Sequence, residues 1–231
     1  MAAPLKMLTA SVIAQANPKL TGSIIFLHGS GDTGFGVREW VSDILNDTFA
    51  FSHIRVVFPT APPREYRPML GAVTTVWFDR EKISNTVPDD PQSIRESSTL
   101  LTQLIESEVK TGIPKHRIIL GGFSMGGSMA MHLAYGSHPD VAGVFALSSF
   151  LSKASAVYGS AAQNNVNPPL FQAHGLSDPL VLFDWGKETN DQMQKLGVEN
   201  VLHTFPRLAH AMSAKELKLL KSWILSKLPD E

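Results

Sequence analysis

Apolar residues along this chain fall into short unbroken runs separated by stretches of helical period. Ser23–Leu27 (SIIFL), Ile54–Phe58 (IRVVF) and Arg117–Leu120 read as buried strands, and Val141–Leu147, Leu170–Ala173 and Val201–Phe205 as further strands. Between them, Val37–Leu45 places Val37, Trp40, Val41 and Ile44 on one helical face. Ile94–Val109 reads as an amphipathic helix, with Gly112 and Pro114 as its stop signal. Ser128–Tyr135 and Phe183–Leu196 predict further helices. A last helix starts after Ser213, with Glu216 at the capping-box position. Near the start, MLTASVIA is broken by Thr9 and Ser11 and reads as an edge strand. Lys6 before it and Ala14-Gln15-Ala16 after it also have the outline of a cleaved leader, but the apolar run is short. The alternation of strand and helix predicts a mostly parallel α/β sheet flanked by helices, as one domain over residues 1–231. Residues 59–91, rich in proline, show no period and predict a long irregular loop of the kind that often carries function.

Composition narrows the function. Apolar residues make up 43% of the 231 residues, enough for a substantial core. The net charge is −1 and no basic stripe is visible, which argues against binding nucleic acid or anionic membrane through bulk charge. The chain has no cysteine, which excludes disulfides, thiolate metal sites and a cysteine nucleophile, and fits a reducing compartment. No apolar run approaches the length of a transmembrane helix, so no integral membrane segment is expected.

The most informative stretch is RIILGGFSMGGSMAM, Arg117–Met131. Within it, Gly122-Phe123-Ser124-Met125-Gly126 is a G-x-S-x-G pattern between a predicted strand and a predicted helix. A serine there sits on a tight, strained turn with its hydroxyl above the sheet, and glycines on either side let strand and helix pack closely. The helix N-terminus beside it favours developing negative charge. A serine hydroxyl needs a base, and histidine has the matching pKa. Asp178 and His210 also follow predicted strands, and the order Ser, Asp, His is that of an α/β-hydrolase. His28, His174 and His203 compete for the base. The first two precede glycines in turns with a structural look, and the third lies within a strand. The glycine-rich loop His28–Gly34 could turn backbone N–H groups towards a ligand, but lacks the pattern of a nucleotide phosphate loop.

FLHGSGDTG, FPTAPP, WFD, GIPKHRIILGGFSMGG, AGVFALSS, HGLSDPLV and the late His210 occur in order over nearly the whole chain. In these motifs the chain resembles the acyl-protein thioesterase and lysophospholipase-like family of α/β-hydrolases. The resemblance implies a triad of Ser124, Asp178 and His210, and an oxyanion hole from the backbone N–H groups of Ser30 and Met125. Leucine and glutamine are more usual at those last two positions, a change that bears on pocket shape and not on main-chain donors. The function implied is a cytosolic serine hydrolase that cleaves acyl thioesters or esters through an acyl-enzyme, in protein S-depalmitoylation or deacylation, with an acylated protein or a small acyl ester as substrate and no metal or cofactor. It would work as a monomer or weak dimer, with transient contact with membrane-bound acylated proteins. Trp77, Phe150 and Leu151 are expected to supply the apolar surface for the acyl chain, although Trp77 taken singly reads as core. Large aromatic groups and the lack of a long amphipathic lid predict a shallow pocket favouring short acyl chains. The alternatives are a small-ester carboxylesterase, a lysophospholipase, or an inactive hydrolase fold that binds acyl groups or partners.

Overall fold

A computed structural model describes residues 8–17 and 19–230; Lys6 and Met7, at the head of the expected first strand, lie outside them. Seven strands form the main sheet: β1 (Ala10–Ile13), β2 (Gly22–Leu27), β3 (Ile54–Pro59), β6 (Ile118–Phe123), β7 (Gly143–Leu147), β8 (Leu170–Gly175) and β9 (Asn200–Phe205). Their spatial order is β1-β3-β2-β6-β7-β8-β9, parallel throughout except for the antiparallel edge pair β1–β3. The polar breaks in β1 suit that edge, where one side of the strand meets solvent. Strands β2, β6, β7 and β8 are buried at every residue, because helices cover both faces.

Alternate side chains of β2 show the two layers. Ile24 and Phe26 pack against α1 (Gly34–Leu45) and α6 (Ala214–Lys227), with Val37, Val41, Leu217, Leu220 and Ile224. Ile25 and Leu27 pack on the opposite side with α2 (Pro91–Lys110), α3 (Met125–Ser137), α4 (Ala156–Gln163) and α5 (Phe183–Lys195). This alternation is the period of two that a strand imposes. The chain leaves β2 leftward through α1 to β3, and later enters β6 on the other side of β2. The order therefore reverses between β2 and β6, and the loops after these two strands face each other across the crevice where open α/β sheets bind ligands.

Two local expectations are corrected, and one helix appears where none was expected. Helix α3 starts at Met125 and not at Ser128. Gly126 and Gly127 are poor helix formers and read as loop, yet they occupy the first turn because packing there requires them. The expected irregular stretch 59–91 contains a hairpin, β4 (Pro63–Tyr66) with β5 (Ala72–Thr75), turned through Leu70 and Gly71 at positive φ, and an isolated bridge between Arg80 and Asp89. Its strands are four residues long and half of their residues are exposed, so no apolar alternation announces them. Helix α4 carries small residues and a central Gly159, which hide its period; Ser155 caps it by accepting from the Val157 N–H at 3.3 Å.

Candidate active site

β6 ends at Phe123, α3 begins at Met125, and Ser124 joins them. Its φ of 54° and ψ of −122° lie where side chains are rarely tolerated. The turn is this tight because Gly122 and Gly126 carry no side chain. A Cβ on either would run into the Leu27 carbonyl oxygen of neighbouring β2. The Ser124 N–H donates to Leu147 O at 2.8 Å, and the Ser124 carbonyl accepts from the N–H groups of Gly127 and Ser128 at 3.1 and 3.3 Å. The strain is thus held from both sides.

His210, in the loop between β9 and α6, reaches this serine. Its Nε2 lies 3.0 Å from Ser124 Oγ, and its Nδ1 lies 2.7 Å from Asp178 Oδ2. Asp178 follows β8, and its Oδ1 accepts from the N–H groups of Leu180 and Val181, both at 2.9 Å. The Asp178 side chain is sealed from solvent, while 16% of the His210 side chain is exposed. A carboxylate only accepts, so Nδ1 carries the proton and the Nε2 lone pair faces the serine hydroxyl.

The competing histidines do other work. His28 accepts the Ala61 N–H on Nε2 at 3.0 Å and donates from Nδ1 to Gly29 O at 2.6 Å, so it holds the loop after β2; burial lowers its pKa. His174 donates from Nε2 to Val181 O at 2.8 Å, and burial lowers its pKa as well. His203 stays within β9 against Phe171.

Ser30, after β2, and Met125, at the first position of α3, face each other across the crevice, with Ser30 Oγ 3.6 Å from Met125 Sδ. Neither N–H has a carbonyl acceptor among the described residues. A cavity of about 180 Å³ opens in front of them, with Ser124 and His210 in its wall. Of the three residues expected to carry an acyl chain, only Phe150 faces it. Trp77 is wholly buried: its indole N–H donates to His28 O at 3.0 Å, and the ring packs on His28. Leu151 belongs to the core and its N–H donates to Thr189 Oγ1. Trp77 and Leu151 therefore brace the site from beneath. Sequence reasoning found the right segment, 59–91, and missed the residues from it that do line the cavity: Tyr66, Arg80 and Ile83. The one available signal was Arg80, a cation two residues after the apolar Trp77-Phe78, with Asp79 between.

Residues 8–227 match the phospholipase/carboxylesterase family. The chain belongs to this family. It is 55% identical to lysophospholipase-like protein 1 of Mus musculus over 212 residues, 91% of this chain and 89% of that one. It is 35% identical to acyl-protein thioesterase 1 of Debaryomyces hansenii, over 89% and 90% of the two chains. Among solved structures, Zea mays acyl-protein thioesterase 2 superposes with a TM-score of 0.80 at 26% identity, over 95% of this chain and 99% of that one. Arabidopsis thaliana SOBER1 gives 0.78 at 26%, over 90% and 99%. This family member is a deacylating serine hydrolase with the α/β-hydrolase fold. Among its described residues, no helix is long and apolar enough to cross a membrane.

Proposed function

We propose that Ser124, His210 and Asp178 hydrolyse short acyl thioesters or esters through an acyl-enzyme. The observation that carries this is the position of His210, 3.0 Å from Ser124 Oγ and 2.7 Å from Asp178 Oδ2. His210 Nε2 takes the hydroxyl proton as Ser124 Oγ attacks the acyl carbonyl. Asp178 fixes the imidazole and stabilises the imidazolium. The N–H groups of Ser30 and Met125 donate to the tetrahedral oxyanion, each worth about 2.7–4 kcal/mol of barrier in such sites. His210 then protonates the leaving thiol or alcohol. Water, deprotonated by the same nitrogen, releases the acid and frees Ser124.

The proposed physiological substrate is a protein acylated on cysteine, in the cytosol; the names of the thioesterase relatives support this class. The short-chain preference rests on the cavity wall. Arg80 and Asp89 form a nearly buried ion pair at 3.3 Å. Arg80 lines the Ser124 cavity, while Asp89 lines a second cavity of about 470 Å³. The pair stands between the two, where a longer chain would have to pass.

Two measurements test this. A fluorophosphonate probe should label the protein and fail to label Ser124→Ala; equal labelling of both would remove Ser124 from the mechanism. For p-nitrophenyl esters and matching thioesters of about two to sixteen carbons, kcat/KM should peak with short chains and stop rising beyond about eight. Each CH₂ that found a wall would otherwise add about 0.8 kcal/mol. A steady rise to palmitoyl would overturn the short-chain part alone.

A further inference from the structure

Two polar side chains in the Ser124 cavity have no part in the steps above. Tyr66 ends β4 and is 2% exposed; Arg80 is 3% exposed; both line the cavity. The Tyr66 hydroxyl is buried and, among the described residues, has only the Ser30 hydroxyl within reach of a hydrogen bond. The Ser30 hydroxyl stands beside it but is directed to Met125 Sδ. Burial raises the Tyr66 pKa, so at neutral pH the phenol keeps its proton and is a donor. Arg80 Nε faces Asp89 Oδ1 at 3.3 Å without hydrogen-bond geometry. A guanidinium has five N–H donors, and the central carbon of this one lies over the rings of Phe78 and Phe150, 4.8 and 5.2 Å from their centroids. Buried donors whose hydrogen-bonding capacity is only partly used are unfavourable in a protein alone. Placed beside a nucleophile, they describe the acceptor a substrate has to bring.

Charge decides which acceptor. Arg80 already has Asp89 as its counter-ion, and Asp32 also lines the cavity. A substrate carboxylate would add a negative charge to a site whose one cation is neutralised. A neutral oxygen would accept from Tyr66 and Arg80 without that repulsion. We infer that Tyr66 and Arg80 form an oxygen-binding subsite beside Ser124, selecting short acyl groups that carry a neutral ether, hydroxyl or carbonyl oxygen a few carbons from the scissile carbonyl. The inference rests on the proposed role of Ser124 and adds a substrate class to it.

The test compares p-nitrophenyl 4-methoxybutanoate with p-nitrophenyl hexanoate, which have chains of equal length differing by one oxygen for one CH₂, and with the mono-p-nitrophenyl ester of glutaric acid, which ends in a carboxylate. The oxygen lies too far from the carbonyl to alter its reactivity much. The wild-type protein should favour the methoxy ester over hexanoate in kcat/KM by about tenfold, the effect of one hydrogen bond from a charged donor. That ratio should fall towards one in Arg80→Met and in Tyr66→Phe. Tyr66→Phe removes a single oxygen, so it decides the matter even where Arg80→Met leaves Asp89 unpaired and fails to fold. A wild-type ratio near one with normal hexanoate turnover overturns the subsite alone. So does a ratio that survives in Tyr66→Phe, or a glutarate ester cleaved faster than the methoxy ester. Failure to turn over any of these esters overturns the role of Ser124, and the subsite with it.

Discussion

Two buried carboxylates near this site are treated in opposite ways. Asp178, after β8, has a donor for each oxygen: His210 on Oδ2, and the N–H groups of Leu180 and Val181 on Oδ1. Glu216, in the first turn of α6, has one oxygen served and one bare. Its Oε2 accepts from the Ser213 N–H at 3.0 Å, closing the capping box, while Oε1 is buried with no partner. Burial pushes the Glu216 carboxyl up to about 7, with the Ser213 N–H pulling the other way. Burial alone therefore does not decide what a carboxylate does here; the number of donors around it does. The loop after β8 supplies every donor because the aspartate must hold an imidazole in one orientation. The helix start supplies one because a cap needs no more.

The strongest way to break this comparison is Asp178→Asn. Asparagine keeps an acceptor for Leu180 and Val181 but offers an N–H where His210 Nδ1 needs an oxygen. The imidazole then holds its proton on Nε2 and cannot accept from Ser124. Turnover of a short ester should fall by about three to four powers of ten, with the urea midpoint little changed. A full-rate variant would move the acid role elsewhere, Asp184 at the start of α5 being next in line. His210→Ala should cost at least about a thousandfold for the same reason.

Glu216→Gln probes the other carboxylate. A group held near 7 in the fold and near 4.5 in the unfolded chain favours folding while protonated. Its contribution is complete below about 4.5 and is lost as pH rises through 7. Glutamine cannot titrate. The stability of Glu216→Gln relative to wild type should therefore improve by about 3 kcal/mol between pH 4.5 and pH 8, as read from urea melts at the two pH values. An identical difference at both would show that Glu216 is served by a donor after all.

The smallest effect separates the two histidines beside Asp178. His174 sits 3.6 Å from Asp178 Oδ2 but spends its N–H on Val181 O. Its pKa is lowered by burial, so its contribution to stability is present above the usual histidine value of about 6.5 and declines as pH falls below it. His174→Ala should destabilise the protein by about 1–3 kcal/mol, leaving that carbonyl without a donor, and should slow turnover far less than His210→Ala. Equal rate losses in the two would mean that both histidines act on Ser124.

Much of the fold was legible because it is written locally. The buried strands are largely apolar runs, and β1 shows its edge position in Ser11, with Thr9 just before it. Ser213 and Glu216 announce α6 through a contact three residues apart. The hairpin β4–β5 and helix α4 were not legible. Their residues are exposed, small or polar, and their conformation is imposed by the surfaces they pack on.

The same division runs through the site. Sequence by itself determined the nucleophile turn, since strand, Gly122, Ser124, Gly126 and helix lie within a few residues and their sterics are local. It determined too that Ser124, Asp178 and His210 follow strands at one edge of a parallel sheet. The order of motifs pointed to His210, and tertiary structure brings it, and not His28, His174 or His203, to Ser124 Oγ. Tertiary structure also turned Tyr66, Arg80 and Phe150 into the cavity while Trp77 and Leu151 went beneath it. These outcomes depend on how loops from distant strands lie against one another, and no periodicity within any one of those loops encodes that.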